Sequence, residues 1–157
     1  MSTLELTEAP AVHTAMLIRR PPNEAFRAFA DPAITTRFWF TKSSGELVAG
    51  ARVRWDWEMY GAHADVTVLE IEEDRRIVFR WNETMTVELR FTPWEGGSTF
   101  VEVTETGATG TGDDLVQHVR DSTGGFTIAL CALKALLEHG IELGAVRDRH
   151  PANIVAG

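Results

Sequence analysis

One glutamate is a candidate for chemistry because of its place in an alternating strand. Residues 99–106 (TFVEVTET) alternate apolar and polar side chains, and Glu105 shares a face with Val101 and Val103. If that face is buried, the charged carboxylate is disfavoured unless it is paired, and it could anchor a ligand or act as a general base. The competing interpretation, which the sequence favours, puts Glu105 near water at the frayed end of its strand.

Other reactive side chains predict no metal centre and no cofactor. His63 and Asp65 share a strand face, and His118 follows Asp114 by one helical turn. Two ligands are too few for zinc, and such helical pairs are usually solvated. The lone cysteine, Cys131, excludes an internal disulfide, and we interpret it as an inert apolar residue packed within a helix.

The glycine-rich loop 107–112 (GATGTG) has the composition of a phosphate cradle but lacks its lysine. It leads into Asp113 and Asp114, whose charges would repel phosphate. We interpret it as a mobile flap beside a cavity, where it would set specificity together with Glu105. The pair Gly124-Gly125 lies inside the helix predicted at 113–139, weakens it by roughly 1 kcal/mol per glycine relative to alanine, and predicts a bend there.

The elements that would position these residues are a meander of strands and one long helix. Residues 113–139 place apolar side chains three, four and seven apart, and Gly140 is a suitable stop. The predicted apolar face comprises Leu115, Val119, Phe126, Leu130, Leu133 and Leu137, and the solvent face Gln117, Arg120, Asp121, Lys134 and Glu138. Strands are predicted at 12–20, 46–48, 52–58, 63–72, 76–82, 85–91 and 99–106, with two short helices after the first and a bulge near Val68. The pattern predicts an α+β fold, in which a curved antiparallel sheet of about six to seven strands wraps around the C-terminal helix.

Length and charge limit the function classes. The length of 157 residues predicts one domain. We expect a flexible lead-in at 1–10, a core at 12–140 and a flexible tail at 141–157. The net charge of -8 argues against nucleic acid or an anionic membrane as partner. No apolar run suggests membrane insertion and no secretion signal is visible, so the expected location is cytoplasmic.

An unusual number of aromatic residues falls on faces predicted to point inward. Either they fill a solid core or they line an elongated apolar cavity, and we favour the cavity. The expected ligand-binding residues are Trp39, Trp55, Trp57, Val66, Val68, Phe79, Trp81, Val87, Leu89, Glu105, Phe126 and Leu130.

The order of several short motifs resembles the START-like (SRPBCC) superfamily, and within it the branch named for the activator of heat-shock protein 90 ATPase. These motifs are 17–26 (LIRRPPNEAF), Asp31-Pro32, Phe38-Trp39, 77–81 (IVFRW) and Gly125-Phe126 followed by Leu130, Leu133, Lys134 and Leu137. The resemblance covers Val12 to Gly140 and implies the helix-grip fold around a hydrophobic cavity. The chain departs from it at Glu105, where many members have histidine, and at Phe126, where tryptophan is usual.

Because members include carriers, cyclases and co-chaperones, the resemblance leaves the function open. The leading interpretation is a non-catalytic protein that binds a small hydrophobic molecule, such as a lipid, an aromatic or a polyketide-like compound. The first alternative is a cyclase or dehydratase that uses Glu105 as its acid or base. The second is a module that stimulates a chaperone ATPase. A homodimer formed through an exposed strand edge also stays open.

Overall fold

The computed structural model describes residues 4–151 and contains seven strands and four α-helices. The strands are β1 (Val12–Ile18), β2 (Lys42–Ser43), β3 (Arg52–Trp57), β4 (Ala62–Glu72), β5 (Arg76–Trp81), β6 (Met85–Trp94) and β7 (Ser98–Thr106). The helices are α1 (Pro22–Ala30), α2 (Pro32–Thr35), α3 (Gly112–His139) and α4 (Ala145–Asp148). The strands form one antiparallel sheet in the order β1-β7-β6-β5-β4-β3-β2. The predicted α+β fold, a sheet of about six to seven strands with a long C-terminal helix, is confirmed.

The strand predicted at 46–48 is wrong. This segment has no ladder partner, and β2 instead pairs Lys42 with Asp56. Leu47 is apolar because it is buried in the core, with its amide donating to the carbonyl of Ala30 at 3.1 Å. A buried loop residue therefore produced the apolar signal that was taken for a strand.

The bulge predicted near Val68 is confirmed. The register between β4 and β5 shifts between Val68 and Glu70, which makes Leu69 the additional residue. Leu69 is exposed, whereas Val66 and Val68 are buried. After the bulge, the alternation of inward and outward side chains along β4 is therefore shifted by one residue, and Leu69 stays exposed.

Helix α3 begins with a reciprocal cap. The Thr111 hydroxyl accepts from the Asp114 amide at 3.1 Å, and the Asp114 carboxylate accepts from the Thr111 amide at 3.0 Å. The hydrogen bonds from Thr111 hold the pKa of Asp114 below its ordinary value. The helix ends at Gly140, which has the positive φ of 66° that glycine adopts without strain.

Two assignments of faces on α3 need correction. Leu136, which was not assigned to the apolar face, is buried, and the predicted Leu137 is half-buried against the core. Cys131 is exposed and does not pack within the helix interface.

The predicted solvent face of α3 is also wrong at its C-terminal end. Lys134 Nζ donates to the carbonyl of Leu17 at 2.8 Å and to Glu138 Oε2 at 2.7 Å, and the Arg19 amide donates to the same oxygen at 2.9 Å. Burial disfavours the charged form of Glu138, but the hydrogen bonds from Lys134 and Arg19 outweigh it, so its pKa lies below the ordinary value. These bonds attach the end of α3 to the end of β1.

No helix within residues 4–151 is both long and apolar enough to cross a membrane.

We expect Glu138→Gln to lower the free energy of unfolding at pH 7 by about 1–2 kcal/mol, because bonds to a charged acceptor are lost. Since the folded-state pKa is depressed, this contribution is complete above the unfolded-state pKa of about 4.3 and is lost as the pH falls through the folded-state value. Urea unfolding at pH 7 and pH 3 should therefore show the difference from wild type narrowing at pH 3.

The matched control is Glu142→Gln, because Glu142 is exposed and pairs with Arg37 only at 3.6 Å. It should change stability by less than about 0.5 kcal/mol. A Glu138→Gln effect that is equally large at both pH values would contradict the assignment.

Candidate functional site

The inward-facing tryptophans differ in how fully they are buried. Trp39 and Trp55 are buried, with ring centroids 5.1 Å apart, and Trp55 stacks on Phe40 at 4.6 Å. Trp57 and Trp81 are half-buried. Among residues 4–151 the buried N–H of Trp55 has no hydrogen-bond partner. The aromatic set is therefore partly solid core and partly the wall of a cavity.

A cavity of about 380 Å³ lies between the sheet, α3 and the segment that contains α4. Its volume falls within the range of about 300–1,000 Å³ that is usual for small-molecule sites. Its walls are formed by Trp39, Trp57, Tyr60, Ala62, Trp81, Asn82, Glu105, His118, Asp121, Ser122, Gly125, Phe126, Ile128, Val146, Arg149 and His150.

Glu105 is the centre of a polar network in this wall. It is only 2% exposed, so the interpretation that placed it near water at a frayed strand end is wrong. Trp81 Nε1 donates to Oε2 at 2.8 Å, and Ser122 Oγ donates to Oε1 at 2.7 Å. His118 Nε2 lies 2.7 Å from Oε1. The three partners compensate for the burial of the carboxylate.

The network follows from local geometry in three elements. Glu105 points inward because Val101 and Val103 share its face of β7 and are buried. His118 and Ser122 are four residues apart on α3, which places them on the same side of the helix. Trp81 ends β5. Side chains from two strands and one helix therefore meet on one carboxylate.

His118 was not predicted as a site residue, because it was paired with Asp114. In the structure Asp114 caps the helix and His118 binds Glu105. This hydrogen bond occupies Nε2 of His118, and Nδ1 forms no hydrogen bond within residues 4–151. The spacing of His118, Ser122 and Phe126 could have indicated this face, since Phe126 was already assigned inward.

The structure brings only some of the predicted ligand-binding residues to the cavity. Trp39, Trp57, Trp81, Glu105 and Phe126 line it. The others lie in the packed core and not in the cavity wall: Trp55, Val66, Val68, Phe79, Val87, Leu89 and Leu130. Their inward orientation was predicted correctly. Orientation alone does not distinguish a residue of the packed core from a residue of the cavity wall. A role in ligand binding stays a prediction for all twelve.

The loop 107–112 does not line the cavity, contrary to the flap interpretation. The Thr84 hydroxyl donates to the carbonyl of Gly107 at 3.0 Å, which ties the loop to the turn between β5 and β6. The segment beside the cavity is instead 145–150, within the predicted flexible tail. The Tyr60 hydroxyl donates to the carbonyl of Val146 and, at 3.0 Å, to that of Arg147.

A sheet packed against one long C-terminal helix, with a cavity between them, defines the helix-grip class of α+β folds. The family model for Activator of Hsp90 ATPase homolog 1-like protein matches residues 19–138. The chain belongs to this family, as the resemblance of its motifs predicted. No curated protein matches the sequence.

Solved structures agree with the family assignment. A crystal structure of a Staphylococcus saprophyticus protein has 28% identity and a TM-score of 0.74, with 84% of this chain and 94% of that chain covered. DynU16, from the dynemicin biosynthetic locus, has 22% identity and a TM-score of 0.73, with 83% and 48% covered. The Aha1 dimer from Colwellia psychrerythraea has 18% identity and a TM-score of 0.72, with 83% and 98% covered. The last two likenesses concern the fold alone.

We expect Glu105→Gln to destabilise the protein by about 1–3 kcal/mol, because an amide nitrogen would replace one of the two accepting oxygens and face a donor. The control is Glu102→Gln on the outward face of the same strand, where Glu102 pairs with the exposed His13 at 3.1 Å. Chemical unfolding of both variants measures the difference. Equal, small effects would contradict the proposed role of the three partners.

Proposed function

We propose that this protein binds a small, largely aromatic molecule in the cavity between the sheet, α3 and α4. The observation that carries the proposal is the combination of aromatic walls with a small number of oriented polar groups. Sites for small molecules have this composition, with apolar area supplying affinity and a few polar atoms fixing orientation.

The walls favour a flat, unsaturated ligand. The half-buried rings of Trp57 and Trp81 lie 6.3 Å apart, and Trp81 lies 5.8 Å from Phe126. Aromatic faces and edges presented in this way favour stacked or edge-to-face contacts with another ring. Since Trp81 is held by Glu105, its indole is oriented before a ligand arrives, which lowers the entropic cost of binding.

The comparisons are compatible with this proposal but do not identify a ligand. DynU16 comes from a biosynthetic locus, which suits a protein that handles small molecules. At 22% identity the likeness supports only the fold, and one fold of this kind accommodates several functions. The proposal therefore rests on the cavity itself.

The test is a titration with N-phenyl-1-naphthylamine, a neutral aromatic probe that fluoresces strongly in apolar surroundings. We expect saturable binding to the wild type, and Ala62→Phe should weaken it by about tenfold or more because the new ring occupies the cavity. Phenylalanine suits a strand, so the fold should be retained.

His63→Phe is the matched control, because neighbouring residues of a strand point to opposite faces and His63 is exposed. It should leave the affinity unchanged. If the wild type does not bind the probe, or if both variants weaken binding equally, the cavity proposal fails.

The geometry also favours one form of the enzymatic alternative. A buried carboxylate that hydrogen-bonds to Nε2 of an imidazole orients the ring and leaves the other nitrogen to exchange a proton with a bound molecule. In a cyclase or dehydratase at this site, His118 would therefore transfer the proton. Glu105, engaged by three donors, would be a positioning residue instead of the acid or base predicted from the sequence.

This alternative is tested on the molecule that co-purifies from the native host, identified by mass spectrometry after denaturation. If incubation with protein converts it, His118→Asn should abolish conversion and leave binding within about threefold. Conversion that survives in His118→Asn but is lost in Glu105→Gln would reverse the two roles.

Two partner hypotheses stay open beside the cavity. Stimulation of a chaperone ATPase rests on the family description and is tested by a pull-down from host lysate. A homodimer is suggested by the Colwellia psychrerythraea protein, which is a dimer. Pairing through a strand edge is disfavoured here, because α3 hydrogen-bonds to β1 through Thr127 and Lys134, and β2 has only two residues.

A further inference from the structure

We propose that Arg149 binds an anionic group of the ligand, so that the cavity takes an aromatic carboxylate in preference to a neutral aromatic molecule. This inference rests on the proposed function, because it names the ligand class of the same cavity. It follows from where the guanidinium lies, from how few partners it has, and from how fully the neighbouring acids are engaged.

The guanidinium of Arg149 is placed at the cavity by two elements. The bonds from Tyr60 to the carbonyls of Val146 and Arg147 attach α4 beside the cavity. The side chain then lies against the glycine pair of α3. A Cβ atom on Gly124 would come within 2.6 Å of Arg149 Nη2, and one on Gly125 within 3.2 Å of Nη1. The two glycines therefore leave space for the guanidinium, which gives them a role other than the bend predicted from sequence.

Arg149 has unused hydrogen-bonding capacity. A guanidinium carries five N–H donors and matches the two oxygens of a carboxylate. Within residues 4–151, the guanidinium of Arg149 donates to the backbone carbonyl of Asp121 at 3.4 Å and forms no ion pair. Arg147, two residues earlier, is paired with Asp148 at 2.8 Å. Arg149, which directly follows α4, is therefore the arginine of the segment 145–150 that can contact a ligand in the cavity.

The acids in the cavity wall already have partners. The oxygens of Glu105 accept from Trp81, His118 and Ser122. The carboxylate of Asp121 accepts from the Gln117 amide at 3.0 and 3.1 Å. Arg149 is the only lysine or arginine among the residues that line the cavity, and a ligand with an anionic acceptor is complementary to it. Burial of apolar area and a charge-assisted bond would act together on such a molecule.

The experiment compares two probes with the same ring system: neutral N-phenyl-1-naphthylamine and its sulfonated analogue 8-anilino-1-naphthalenesulfonate. We expect the wild type to bind the anionic probe more tightly. A net charge of -8 would by itself repel that probe, so the preference must come from the site. Arg149→Met keeps the length of the side chain and removes its charge. This variant should bind the anionic probe about tenfold more weakly and the neutral probe with unchanged affinity.

Arg147→Met is the matched control and should change neither affinity. Gly124→Ala is a second variant that keeps Arg149 but displaces its guanidinium, and it should reproduce the selective loss.

The outcomes separate the inference from the function on which it rests. A loss of affinity for the anionic probe alone, in both Arg149→Met and Gly124→Ala, supports the inference. Binding of both probes with no preference for the anion, or equal loss in Arg149→Met, overturns it and leaves the cavity proposal intact. If neither probe binds the wild type, both proposals fail. If Arg149→Met does not fold, an unchanged affinity of Gly124→Ala for the anionic probe overturns the inference.

Discussion

The burial of Glu105 is the constraint on which the arrangement of the site depends. A carboxylate that is 2% exposed is tolerated only with hydrogen-bond donors around it, and no single element supplies them. The donors come from β5 and from two consecutive turns of α3. Satisfying this one group therefore fixes how the helix is rotated against the sheet and orients the indole of Trp81 and the imidazole of His118.

The fold could be predicted from the sequence because its signals are local. Alternation at 52–58 and 85–91 identified strands, the change of parity after Val68 identified the bulge, and Gly140 marked the end of α3. The error at 46–48 has the same origin. Leu47 is apolar because it packs in the core from a loop, and a local pattern does not separate that case from a short strand.

The candidate site could be predicted only in part, because its decisive contacts are not local. Parity placed Glu105 inward, but its partners Trp81 and His118 are 24 and 13 residues away in sequence. No periodic pattern indicates that Tyr60 holds the segment after Gly144 through bonds to backbone carbonyls. The role of Gly124 likewise becomes visible only when Arg149 lies beside it. Helix propensity counts such a glycine as a cost, and only tertiary structure shows which neighbour needs the space.

The two ends of α3 are attached to the sheet by different means, and this difference accounts for the position of the cavity. At its C-terminal end Lys134 binds the backbone of β1, Glu138 binds the amide of Arg19 just after that strand, and Leu133 and Leu136 are buried. Nearer its N-terminus His118 and Ser122 reach the sheet through hydrogen bonds of 2.7 Å to Glu105, and all three residues line the cavity. Apolar packing and bonds to the backbone therefore join helix and sheet at one end of α3, whereas a polar network that borders the cavity joins them nearer the other end.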